Sequence, residues 1–117
     1  MIYKKSWKYI LIKCSNLYYH PKALKNFSDV SKGDIGGYIQ GYHNLSQFGN
    51  CWIYDCAAII RNAYVSENAK IKDNAIVTDN TRISGNAIVK SSAQVSDNAK
   101  VSENAMISGY AQVTGNA

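Results

Sequence analysis

The side chains of this 117-residue sequence best suited to acid–base, nucleophilic or metal chemistry are two histidines, His20 and His43, and three cysteines, Cys14, Cys51 and Cys56. A general base works only beside partners that orient it. His43 stands just before the first regular repeat, and no such partner is legible near it. Cys51, Cys56 and His43 are the nearest approach to a metal set, but their spacing is not that of a zinc site. No glycine-rich phosphate loop is present. Lys4, Lys5, Trp7, Lys8 and Tyr9 interleave basic and aromatic residues, a pattern that can stack on single-stranded nucleic acid. The ordinary reading of that run is a strand, so nucleic acid is kept as the lesser alternative. The expectation is no catalytic residue, no metal and no cofactor.

Composition bounds the setting. The net charge is +5, and all of it falls in residues 1–42, where seven lysines face only Asp29 and Asp34. A solvated basic surface explains this without an acidic partner. No apolar run is long enough to span a membrane. Charge and aromatics occupy the start, where a signal peptide needs a smooth apolar stretch. An odd cysteine count points to reduced thiols. Together these features predict a cytoplasmic protein.

The elements that position any site come from a six-residue repeat. From Gly49 the chain reads GNCWIY, DCAAII, RNAYVS, ENAKIK, DNAIVT, DNTRIS, GNAIVK, SSAQVS, DNAKVS, ENAMIS, GYAQVT and GNA. HNLSQF, just before, is a looser unit in the same frame. The fifth position is Ile or Val in every full unit, and the third is Ala, Cys or Thr. Residues two apart share one side of a strand, and β-branched residues suit a pleated, half-buried surface. Each unit is therefore one short strand with an inward face. The Asp, Glu, Gly, Ser and Asn residues at positions one and two make the corner. A helix is excluded, because a turn residue every six positions breaks any 3.6-residue stripe. Cys51 then falls on an inward position and Cys56 on a corner, so the two point apart.

This repeat resembles the hexapeptide-repeat proteins. The resemblance implies a left-handed parallel β-helix of triangular section, three units to a coil and about 3.7 coils in all. The flank Ala23–Phe27, Val30–Tyr38, Asn44–Ser46 and Cys51–Asp55 is similar to the lead-in of small phage and prophage β-helix proteins, often labelled transferase-like. The expected organisation is a basic N-terminal β cap over residues 1–42, with strands near 3–13 and 17–20, and a β-helix over 43–117. The acyltransferases of the hexapeptide-repeat group use a His base at a subunit interface, loops extruded from the coils and a later cofactor-holding region. None of these is legible here.

Residues 18 apart stack, so position four lists each outer face. The first face carries Trp52, Lys70, Ile88 and Met106, flanked by Tyr54, Lys72, Lys90 and Ser108. It is the expected partner-binding surface, with Trp52, Tyr54, Lys70, Lys72, Ile88, Lys90 and Met106 as its residues. The second is apolar early, at Ala58, Ile60 and Ile76, and the N-terminal segment is expected to cover it. The third carries Tyr64, Arg82 and Lys100. Asparagines stack at two corners: Asn50, Asn68, Asn86 and Asn104, then Asn62, Asn80, Asn98 and Asn116.

The functional expectation is a non-catalytic protein-binding module of phage or prophage type that blocks a host defence protein. The alternatives are a degenerate hexapeptide acyltransferase-like protein and a purely structural rod. Regular repeats running through Gln112, Val113 and Thr114 offer a strand edge, which predicts a homodimer joined at the C-terminal coils, with a side-by-side trimer as the alternative.

Overall fold

The computed structural model describes residues 7–115. Lys4, Lys5, Asn116 and the first residues of the expected N-terminal strand lie outside them. Two five-residue strands, β1 (Tyr9–Lys13) and β2 (Tyr19–Ala23), form an antiparallel hairpin. The second strand starts two residues later than the sequence suggests, because Ser15–Tyr18 make the hairpin turn, where Ser15 Oγ accepts from the Leu17 and Tyr18 amides.

Everything after Tyr38 is stacked in parallel. The strands are only two residues long: β3 (Tyr38–Ile39), β4 (Trp52–Ile53), β5 (Ala58–Ile59), β6 (Tyr64–Val65), β7 (Lys70–Ile71), β8 (Ile76–Val77), β9 (Arg82–Ile83), β10 (Ile88–Val89), β11 (Gln94–Val95), β12 (Lys100–Val101), β13 (Met106–Ile107) and β14 (Gln112–Val113). They lie in three sheets, ordered β4-β7-β10-β13, β6-β9-β12 and β1-β2-β3-β5-β8-β11-β14, the last extended by the hairpin because β2 pairs antiparallel with β3. The register from β4 onward is 18 residues, as in Trp52 beside Lys70 and Ile88 beside Met106. The protein is thus an all-β parallel solenoid of about four turns, as the repeat predicted. A 3-10 turn at Tyr42–Asn44 is its one helical element among the described residues.

The inward rows are those read from the sequence. Ala57, Ala63, Ala69, Ala75, Ala87, Ala93 and Ala99 are fully buried, as are Ile53, Ile59, Val65, Ile71, Val77, Ile83, Val89 and Val95. Small residues at position three let the chain bend into the corner while the branched residue two places on fills the axis. Position-four and position-six amides donate along the axis to the next coil, as from Ala58 to the Ala75 carbonyl at 3.0 Å and from Ile60 to that of Val77 at 2.9 Å. Backbone polar groups are in this way satisfied coil to coil.

The corners fall at positions one and two, as the repeat predicted. The left-handed residue is position one: Asp55, Arg61, Glu67, Asp73, Asp79, Ser91, Asp97 and Glu103 have φ between 56° and 63°. Asp tolerates this region, and its side chain has a task. The carboxylates of Glu67, Asp73, Asp79 and Asp97 accept the amides of Gly85, Ser91, Asp97 and Gly115, each 18 residues on, at 2.6–3.0 Å. Beside them the asparagines form the expected ladders, Asn62 to Asn80 to Asn98 and Asn86 to Asn104, each at 3.3 Å.

The N-terminal segment is built into the solenoid. β3 pairs in parallel with β5, so residues 38–39, on the cap side of the expected boundary, already belong to the stack. The chain enters through Gly37, where a Cβ would stand 2.5 Å from the Ala57 carbonyl oxygen. The loose unit HNLSQF is shifted by two residues: Leu45, not Gln47, pairs with Val65 and is fully buried. Gln47 turns instead to the cap. Its Oε1 accepts the Lys8 and Tyr9 amides at 2.7 and 3.1 Å, and its Nε2 donates to the Tyr9 carbonyl at 3.0 Å.

Candidate functional site

The cap roofs the start of the first face, and it only flanks the apolar row of the second, through Tyr18 and Tyr38. Trp52 was expected on the exposed partner-binding surface, yet it is 2% exposed. Its ring meets those of Tyr9 and Phe27 edge-on, at centroid distances of 6.1 and 5.3 Å. Burying an indole between two aromatic rings gains far more than leaving it in water. Trp52 is therefore a joint between cap and rod and is withdrawn from any surface site.

The contact continues down that face. Asp29, from the cap, accepts the Tyr54 hydroxyl at 2.6 Å and lies 3.7 Å from Lys70 Nζ. Lys72 Nζ stands 5.2 Å from the Tyr54 ring centre. The Tyr54 bond, aided by Lys70 and Lys72 against slight desolvation, holds the Asp29 carboxyl below the usual carboxylate range. Burial and the neighbouring carboxylate push the Tyr54 hydroxyl up. Tyr54, Lys70 and Lys72 are thus engaged within the chain. Ile88 and Lys90 are half-buried and Met106 is 60% exposed, below the reach of Asp29. Gln112 and Thr114 are exposed and Val113 is half-buried, on a strand paired on one side to β11.

The second face is left as a groove. Tyr18 and Tyr38 from the cap, with Ala58, Ile60 and Ile76 from the coils, line an open hollow of about 330 Å³. Ala58 creates it: Tyr38 and Ile76 stand one coil above and one below, and the methyl between them leaves a notch. The sequence flagged the three coil residues as apolar and uncovered. It did not reveal the two tyrosines, because Tyr38 joins the stack only through the β3–β5 pairing.

His20 adjoins this groove, its ring 4.7 Å from that of Tyr38. Its Nδ1 lies 3.0 and 2.9 Å from the carbonyl oxygens of Gly36 and Gly37. Carbonyls only accept, so Nδ1 is the donor in these contacts and carries a hydrogen. His43 is fixed differently: Nε2 donates to the Arg61 carbonyl at 2.7 Å. Neither ring has a carboxylate bonded to it among the described residues, so neither is arranged as a charged acid–base pair. The groove can hold an apolar group; it presents no assembled reacting centre.

Other sequence candidates are dispersed. Cys51 is buried on the axis while Cys14 and Cys56 are exposed, and no metal-holding group of His, Cys, Asp and Glu occurs among the described residues. Of the basic–aromatic run, Lys8 and Tyr9 are buried, at 1% and 0% exposure, which removes these two from any nucleic-acid contact, while Lys4 and Lys5 lie outside the described residues. A polar groove of about 510 Å³ follows the Asn62–Asn80–Asn98 corner past Arg61, Asp79 and Asp97, where Arg61 and Asp79 form a 2.7 Å ion pair. No helix among the described residues is long and apolar enough to cross a membrane.

Against this geometry the comparisons are brief. A stretch of 37 residues is 51% identical to the uncharacterized acetyltransferase YdcK of Escherichia coli strain K12. The stretch is 32% of this chain and 11% of that protein. No protein-family model matches. A short likeness to a protein of that label agrees with the solenoid and with the hexapeptide-repeat resemblance.

Proposed function

We propose that this chain is a degenerate hexapeptide acyltransferase-like protein, which keeps the stacked coils of that group and uses them for binding instead of acyl transfer. The observation that carries the likeness is the 37-residue match to the Escherichia coli protein. The strict 18-residue register from Trp52 to Val113 supports the stacked-coil likeness, and the absence of an extruded loop in that span supports the degenerate half. The degenerate half rests also on the histidines. Each ring is tied to a backbone carbonyl of a neighbouring segment, and among the described residues neither has the carboxylate partner that would set it to work.

The test is thiol release from acetyl-CoA in the presence of small amine and hydroxyl acceptors. The wild type should match the blank, and His20→Gln and His43→Gln should be indistinguishable from it. Release above the blank that disappears in either variant would make the protein a working transferase.

A non-catalytic protein-binding role is favoured separately by one feature, the strip of the first face that the cap does not reach. Met106 is exposed there beside Ile88 and Lys90. We place protein contact on this strip and on the adjoining edge at Gln112–Thr114, a second copy of this chain included.

A further inference from the structure

A lysine amine and a cysteine thiol meet inside the N-terminal end of the solenoid. Lys8 is 1% exposed and Cys51 is fully buried, and Lys8 Nζ stands 3.2 Å from Cys51 Sγ. The amine cannot swing away, because the carbonyls of Cys51 and Gly49 hold it at 2.7 and 3.3 Å. No carboxylate pairs with it: the ion pairs among the described residues are Arg61–Asp79 and Lys70–Asp29. A buried cation without a counter-charge is costly, so such an amine loses its proton readily. Burial lowers its proton affinity accordingly and raises that of the thiol. Two hydrogens of a neutral amine can serve the two carbonyls, and its lone pair then faces sulfur.

We propose that Lys8 and Cys51 form a covalent S–N bond when the thiol is oxidised by a hydroperoxide, stapling the cap to the first coil. Oxidised cysteine condenses with a backbone nitrogen to a sulfenamide, and an unprotonated lysine amine is a stronger nucleophile than an amide. With hydrogen peroxide, the thiol proton passes to Nζ as sulfur attacks one peroxide oxygen. The O–O bond breaks, and the departing hydroxide takes the proton back from Nζ as water. Sulfur now carries OH. The neutral amine attacks it, the S–O bond breaks, and a second water leaves with an amine hydrogen. Sulfur is oxidised, peroxide is reduced, and the product is two hydrogens lighter than the starting pair. The bond closes a loop between positions 43 residues apart, so the oxidised form should melt higher.

The experiment uses the full chain carrying Cys14→Ser and Cys56→Ser, which removes the two exposed thiols. It is treated with hydrogen peroxide and cut, without reduction, by a protease that does not cleave at lysine. The expected result is one cross-linked pair of peptides, lighter than their sum by two hydrogens, which separates on adding dithiothreitol. Cys51 found as a free thiol, or as sulfenic or sulfinic acid beside an unmodified Lys8, would overturn the proposal. A cross-link that retains an extra oxygen would overturn the direct S–N assignment.

Discussion

Val89→Asp is expected to destabilise the protein by more than about 3 kcal/mol, because it places a carboxylate where nothing can pair with it. Val89 is fully buried on the solenoid axis, in register with Ile71 above and Ile107 below. Its neighbour Lys90 faces the other way and is half-buried. Lys90→Asp should therefore cost less than about 1 kcal/mol. Denaturant midpoints of the two variants measure the difference. Equal shifts would mean that the inward row is misassigned.

Trp52→Ala should be the most damaging change at a position-four residue, by about 3–5 kcal/mol. Most position-four residues point to solvent, and truncating Met106, which is 60% exposed, should do little. Trp52 differs because Tyr9 and Phe27 close over it. Its loss leaves a cavity at the joint between cap and rod and frees both rings. A comparable midpoint for Trp52→Ala and Met106→Ala would mean that the cap does not sit on the first face in solution.

The contrast between these residues shows what the sequence could reveal. A small residue (Ala, Cys or Thr) at position three and Ile or Val at position five repeat without a gap, and each chooses its side locally. The core rows and the 18-residue register were therefore legible, as were the asparagine ladders. Trp52 obeys the same local rule, since it does point away from the axis. Its burial comes from Tyr9 and Phe27, both in the N-terminal segment ahead of the repeats, and no periodicity carries that information. Lys8 was misread for a related reason. A lysine is normally solvated, and only the carbonyls of Gly49 and Cys51 at the open end of the first coil make its burial tolerable. The position-one carboxylates left a signal that went unused: acids recur 18 residues apart at Asp55 and Asp73, and at Asp79 and Asp97.

The candidate groove depends on one feature above all, the parallel pairing of Tyr38 and Ile39 with Ala58 and Ile59. Without it Tyr38 does not stand over Ala58, and the tyrosine wall and its neighbour His20 are lost to the site. Amide hydrogen exchange tests that pairing directly. Gly37 donates to the Ile53 carbonyl at 3.1 Å and Tyr38 to the Ala57 carbonyl at 2.9 Å, much as Ala58 and Ile76 donate to the coil beyond them. All four amides should be protected to a similar degree. Fast exchange at Gly37 and Tyr38 with slow exchange at Ala58 and Ile76 would contradict the account, leaving a rod without the cap that completes its site.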